Sequence, residues 1–393
     1  MIEQLLAEEL SELRVHNLYR SLRTIEHIEG AYAYLQGKRT LLFCGNDYLG
    51  LSQHPRMIQA VQKAAKTYGV GAGASRLVSG NWRAHLHAEE RLAALKHQEK
   101  TLLFSSGYLA NVGVLSALAG EKDLIVMDKL CHASLIDGAR LSGATLRVFP
   151  HKNYARCREL LKNAKDYPRK ILISDTVFSM DGDLADFSEL IAMRQQFDAI
   201  LVLDDAHGTG VLGMHGGGAL EDVHLENQVD VIIGTTSKAL GCVGGFAACS
   251  SVIADYLLNA SRSFIYSTGI PPMIAAAISE AVSILETEPE IRQKLWKNIQ
   301  TVHQMLSQMG YAEGPITSPI FPIILGEESV ALEASAQLLE QGFLIPAIRT
   351  PTVAKGKARL RLTVSAMHTS EELEKLKQVF QRILKPKKIS PTH

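Results

Sequence analysis

Seven short apolar runs punctuate the chain at 101–104, 124–127, 145–149, 171–173, 200–203, 231–233 and 246–249. Runs of this length that are apolar throughout, rather than alternating, predict strands buried on both faces. Between several of them lie segments of helical period, at 107–119, 155–163 and 187–196. Alternating strands and helices predict an α/β fold with a mostly parallel central sheet flanked by helices. After Pro271-Pro272 one long helical region runs to about Met309, with Leu295, Ile299, Val302 and Leu306 on a single stripe. Beyond it, 320–325, 344–348 and 359–364 read as strands and 330–341 and 370–384 as helices, a smaller α+β C-terminal domain. The expected organisation is an N-terminal helix with short strands (1–45), a large α/β domain (46–288) and a small domain (289–393) whose basic tail from Lys385 frays.

Composition narrows the function classes. Lys plus Arg and Asp plus Glu each number 41, so no net field draws the chain to nucleic acid or anionic lipid. Five scattered cysteines form no CxxC pair, which argues against a zinc site or disulfide framework and for a reducing, cytoplasmic setting. The start, Met1 to Leu10, carries acids at helical spacing where an export signal would be basic and then apolar. The most apolar helical stretch, 274–285, is too short to span a bilayer. A small-molecule enzyme without membrane or nucleic-acid partners fits best.

Candidate chemistry gathers where the strands end. Asp128, Asp175, Asp204 and Gly234-Thr235 close four of them, and open α/β sheets bind ligands outside the carboxyl ends of strands. Lys238, in Gly234-Thr235-Thr236-Ser237-Lys238, is either a solvated loop charge or, beside a buried strand, an amine able to shed its proton and attack a carbonyl. Asp204 opens Asp204-Asp205-Ala206-His207, and a carboxylate at a buried strand end needs a cationic partner. A structural ion pair, a divalent metal shared with Asp205 and His207, or a protonated pyridine nitrogen would each serve; no further acid and histidine cluster at ligand spacing supports the metal. Ser105-Ser106-Gly107-Tyr108 follows a strand and opens a helix, so its N–H groups either begin an ordinary capped helix or hold a phosphate, with Thr235 as a second ligand. The glycine-rich stretch Gly69 to Arg76 lacks both GxGxxG spacing and a Walker lysine, which disfavours a nucleotide. His132 is a satisfied core or surface histidine, or a flat ring stacked on a flat cofactor.

Taken together, Asp204, His207 and Lys238 with the upstream glycine-led helix start resemble a fold type I pyridoxal phosphate-dependent transferase. Finer motifs narrow the resemblance to the α-oxoamine synthases: Asn46-Asp47-Tyr48-Leu49-Gly50-Leu51, Ser75-Arg76-Leu77-Val78-Ser79-Gly80, Phe178-Ser179-Met180-Asp181-Gly182-Asp183, the segment from Asp204 to Gly210, and Ile265-Tyr266-Ser267-Thr268. With Leu18-Tyr19-Arg20-Ser21-Leu22-Arg23 near the start and Ala347-Ile348-Arg349-Thr350-Pro351-Thr352-Val353 near the end, the resemblance covers essentially the whole chain. Those last two segments, with Ala358 to Thr363, are most similar to the branch that joins L-alanine to a pimeloyl thioester, on coenzyme A or an acyl carrier protein, in biotin biosynthesis. The alternative is the glycine-using branch, such as 2-amino-3-ketobutyrate CoA ligase, which usually lacks the Ile-Arg-x-Pro-Thr form and has serine in place of Ala206. Thr350 departs from the family's usual proline.

The resemblance implies a homodimer with its sites at the interface and pyridoxal 5'-phosphate as cofactor, held by the large domain. It implies that Lys238 holds the cofactor through its amine and moves protons at the substrate α-carbon. Asp204 pairs with the ring nitrogen, His207 and Ser179 serve the ring oxygen, and His132 stacks on the ring face. Gly107, Tyr108 and Thr235 form the phosphate and ring cradle, with Thr268 reaching the phosphate from a partner subunit. Arg20 and Thr352 match acyl-substrate positions, and Asn46 and Arg361 those that grip the amino-acid carboxylate.

Overall fold

The computed structural model describes residues 2–16 and 18–384, so the tail expected to fray, 385–393, lies outside the described residues. At its centre is a seven-stranded sheet in the order Lys100–Phe104, Gly245–Cys249, Val231–Thr235, Ile200–Asp204, Lys170–Asp175, Leu124–Asp128, Thr145–Phe149. The last five pair in parallel, whereas Gly245–Cys249 runs antiparallel to both neighbours. Six strands therefore share one direction, and Phe104, Asp128, Asp175, Asp204 and Thr235 end along one edge. The mostly parallel sheet expected from the apolar runs is present.

Alternation across the pleat explains why these strands read as unbroken apolar runs. Leu201 and Leu203 enter one core with Leu103, Leu172 and Ile232, while Val202 enters the other with Ile171, Ile173 and Ile233. Both faces are covered, so neither set of alternate positions tolerates polar residues. The outermost strand, Thr145–Phe149, has one neighbour, and only Phe149 in it is buried.

Two sequence expectations change. The region after Pro272 is two helices, Pro272–Thr287 and Pro289–Gln308, because Pro289 offers no N–H and drives Glu288 out of helical geometry, to φ −130° and ψ 57°. The expected stripe of Leu295, Ile299, Val302 and Leu306 is buried on the second helix. The single strand expected at 344–348 is two. Phe343–Leu344 pairs in parallel with Lys38–Leu42 of an N-terminal sheet, and Ala347–Ile348 pairs with Ala358–Thr363 of a separate three-stranded antiparallel sheet. Pro346 stands at the break, and its carbonyl accepts from Arg361 N–H at 3.1 Å. Among the described residues no helix is long and apolar enough to cross a membrane.

The C-terminal strand Ala358–Thr363 reaches the large sheet through its arginines. Arg359 donates to the Asp181 carboxylate at 2.6 Å and the Met180 carbonyl at 3.1 Å, and Arg361 Nε donates to the Ser179 carbonyl at 2.7 Å. Those contacts hold the 179–181 loop over the carboxyl edge of the sheet.

Candidate active site

A cavity of about 220 Å³ opens at that edge, lined by Gly107, Tyr108, Asn111, His132, Ser134, Asp175, Ser179, Asp204, His207, Thr235, Ser237 and Lys238. The implied cofactor positions Lys238, Asp204, His207, His132, Gly107, Tyr108, Ser179 and Thr235 thus come together from segments far apart in sequence. Each sits just beyond a strand end or on the helix that follows one.

Asp204 is 6% exposed, with Asn111 Nδ2 donating to one oxygen at 2.7 Å and the Ala206 N–H to the other at 2.9 Å. Its register partner on the neighbouring strand is Asp175. Burial, then the Asp204 charge, pushes the Asp175 carboxyl well above the ordinary carboxylate range. Asp175 is thus pushed toward its neutral form beside Asp204. Asn111 also donates to Ser134 Oγ at 2.8 Å, and Ser134 Oγ meets His132 Nδ1 at 2.7 Å. Burial holds His132 below its usual range. Its neutral ring accepts at Nδ1, carries its proton on Nε2, and is locked against rotation.

Lys238 lines this cavity and is only partly exposed. Burial lowers its amine from the ordinary 10.5 to about 8, against the opposing pull of Asp204 and Asp175, with Arg361 reinforcing the drop. About a tenth of such an amine is neutral at pH 7, against well under a thousandth for a solvated lysine. Carbonyl capture needs the neutral form. Capture of pyridoxal phosphate by the apoprotein should therefore rise about tenfold per pH unit below pH 8 and level off above it, measurable by stopped-flow absorbance; a rate still climbing tenfold per unit at pH 9.5 would contradict an amine tuned by burial.

The other end of the cavity suits an anion. Ser106 caps the helix Gly107–Leu118, its hydroxyl accepting from Leu109 N–H, so the Gly107 and Tyr108 N–H groups have no acceptor within the helix. A Cβ on Gly107 would come within 3.2 Å of Thr235 Cβ, so glycine lets this helix start press against the strand end that carries the Thr235 and Ser237 hydroxyls, 2.7 Å apart. Paired donors at one end, a buried carboxylate along the edge and an amine of lowered basicity between them fit the phosphate, pyridine nitrogen and carbonyl carbon of pyridoxal phosphate. Metal chemistry fits poorly: Asp205 is consumed by Lys96, Thr176 and the Ala219 N–H, and among the described residues no group of three or more His, Cys, Asp or Glu is arranged to hold an ion.

The implied substrate residues sit outside this cavity. Arg20 and Thr352 meet in a second cavity of about 560 Å³, with Leu10, Leu13, Leu18, Ile348 and Pro351. Asn46 lines a third, of about 270 Å³, with Ile25, Cys44, Thr363 and Met367. Arg361 is 7% exposed and lines none of the three, yet lies close enough for its charge to lower both Lys238 and His207. Thr268 lines none of the three; its carbonyl accepts from Ser105 Oγ at 3.1 Å and it bridges Ser75. Asp128, expected as a strand-end candidate, is structural, accepting from Leu130 N–H, Lys152 N–H and His151. Asn111, Ser134 and Ser237 were not assigned roles from sequence. Asn111 was findable, since it lies four residues after Gly107 and so on the same helix face.

A family model described as aminotransferase class I and II matches residues 38–380. The chain is 43% identical over 382 residues to the 8-amino-7-oxononanoate synthase of Citrifermentans bemidjiense, covering 97% of this chain and 98% of that one. Among solved structures, a serine palmitoyltransferase with pyridoxal phosphate superposes with a TM-score of 0.91 at 29% identity, covering 96% of each chain. The 8-amino-7-oxononanoate synthase from Francisella tularensis gives 0.75 at 27% identity, over 88% of this chain and 96% of that one. With the lysine, strand-end aspartate and phosphate-ready helix start in one cavity, and likeness running almost from end to end, the chain belongs to the 8-amino-7-oxononanoate synthase family of pyridoxal phosphate-dependent, class I and II aminotransferase-like enzymes.

Proposed function

We propose that the chain catalyses the decarboxylating condensation of L-alanine with a pimeloyl thioester, giving 8-amino-7-oxononanoate, carbon dioxide and the free thiol. The observation that carries the chemistry is the Lys238 amine, lowered to about 8 and sharing one cavity with Asp204. The choice of substrates rests on the 43% identity to a named 8-amino-7-oxononanoate synthase. Bound pyridoxal phosphate supplies a protonated pyridine ring, which accepts the electron pair left when the α-proton and later the carboxyl group depart.

The chain's own groups do the rest. Asp204 would pair with a protonated ring nitrogen. Arg361 and Asn46 grip the alanine carboxylate, a task suited to a guanidinium fork. The freed Lys238 amine takes the α-proton and returns one after carbon dioxide leaves. His132 and His207, both held neutral by burial, add no positive charge that would compete with the ring. Arg20 and Thr352 receive the acyl end. A second copy of the chain completes the site, covering exposed Leu77, Val78 and Tyr266, which flank the Ser75–Thr268 bridge beside Ser105. The setting is the cytoplasm, and the acyl donor is carried on coenzyme A or a carrier protein.

The test is product identification by mass spectrometry. Loaded protein is given alanine with pimeloyl-CoA, glycine with acetyl-CoA, or serine with palmitoyl-CoA. 8-Amino-7-oxononanoate from the first pair is expected, and product from only the second or third overturns the assignment.

A further inference from the structure

Tyr48 is wholly buried and lines none of the three cavities, yet its hydroxyl lies 2.8 Å from Nδ1 of His207. Three features decide which way that hydrogen bond runs. Burial pushes the Tyr48 hydroxyl up to about 12, so it keeps its proton. Burial, then the charges of Lys238 and Arg361 and the nearby His132, holds His207 well below its usual range, so its ring is neutral and one nitrogen must accept. Arg361, whose charge lies near the Tyr48 hydroxyl, has no lone pair with which to accept. The guanidinium therefore offers the hydroxyl proton no partner.

Two acceptors compete for that proton. Asn46 Oδ1 lies 3.4 Å from the hydroxyl and His207 Nδ1 2.8 Å, and the shorter contact wins. From these contacts we infer that Tyr48 is a positioning residue: it donates to Nδ1 of His207 and fixes the tautomer that would present Nε2–H to the ring oxygen of a bound cofactor. The inference rests on the reading of the cavity as the cofactor site. A tyrosine that merely fills the core would do as well as phenylalanine.

The experiment uses the full chain loaded with pyridoxal phosphate and reads its long-wavelength absorbance against pH. Tyr48→Phe keeps the packing and removes the donor. The pH midpoint of that band should rise by about one unit, because His207 no longer holds a proton toward the ring oxygen. The kcat for alanine should fall on the order of tenfold with KM within about twofold, the scale of one buried hydrogen bond. A midpoint unchanged within about 0.2 unit, with kcat intact, overturns the inference. Should the variant fail to fold, nitrogen NMR of the histidine rings in the native chain decides: a protonated Nε2 and bare Nδ1 at His207 are expected, and the reverse is fatal. The absorbance and NMR readouts use no acyl substrate, so they stay readable even if 8-amino-7-oxononanoate is not the product.

Discussion

Lys238→Ala should abolish turnover, lowering kcat by at least about ten-thousandfold, as removal of a residue with both covalent and proton-transfer roles does. Borohydride treatment of the loaded native chain should fix the cofactor to the peptide containing residue 238, and the variant should yield no such adduct. A fall of less than about a hundredfold, or an adduct on another lysine, would mean that the cavity's amine is not the working one.

Stability measurements separate this loss from unfolding, because the native lysine is itself a burden on the fold. Its amine is lowered from 10.5 to about 8, so between those values the unfolded chain binds more protons than the folded one, and stability rises with pH across that window. Below pH 8 the full cost applies, roughly 3 kcal/mol for a shift of that size. The alanine apoprotein should therefore unfold at no lower urea concentration than the native apoprotein at pH 7. It should also lose the native chain's gain in stability between pH 8 and 10.5. A pocket that is costly without ligand and valuable with it is the stability–function trade expected of a catalytic lysine.

How much of this was legible beforehand depended on whether a residue's partner lay nearby in sequence. The central strands were readable because both faces are buried, so each strand announces itself as an apolar run. The break at Pro346 was not, because nothing local says that Phe343 and Leu344 pair with residues 41 and 42, some three hundred positions earlier. Lys238 and Asp204 were expected together because strand ends of a parallel sheet collect ligands, and both line one cavity there. The same rule overreached at Asp128, whose carboxylate is spent on its own loop and on His151. Tyr48 was visible only as part of a motif, since its meaning lies in His207, 159 residues away. Arg20, Asn46 and Thr352 were placed by resemblance alone, and within one chain they line cavities other than that of Lys238.

Lys96→Met should destabilise the protein by about 3–5 kcal/mol, the usual cost of stranding one half of a buried ion pair. Lys96 and Asp205 side chains are each only 1% exposed, 2.7 Å apart. The ammonium spends its three donors on Asp205, Thr209 Oγ1 and the Gly217 carbonyl, and also lies 5.7 Å from the centre of the Phe246 ring. Asp205 in turn accepts from Thr176 Oγ1 at 2.6 Å and from the Ala219 N–H at 3.2 Å. This cluster sits behind the turn whose other residues, Asp204 and His207, face the cavity, so it fixes the angle at which both present themselves. Urea unfolding of the apoprotein measures the stability change. Titration with pyridoxal phosphate should show affinity weakened about tenfold, on the scale of one lost hydrogen bond. Adding Asp205→Asn to the methionine variant removes the stranded charge while leaving an acceptor for Thr176, and should recover part of the stability, which a double-mutant cycle isolates. If the single variant unfolds within about 1 kcal/mol of the native chain, the pair is not the anchor, and the turn is held by its backbone alone.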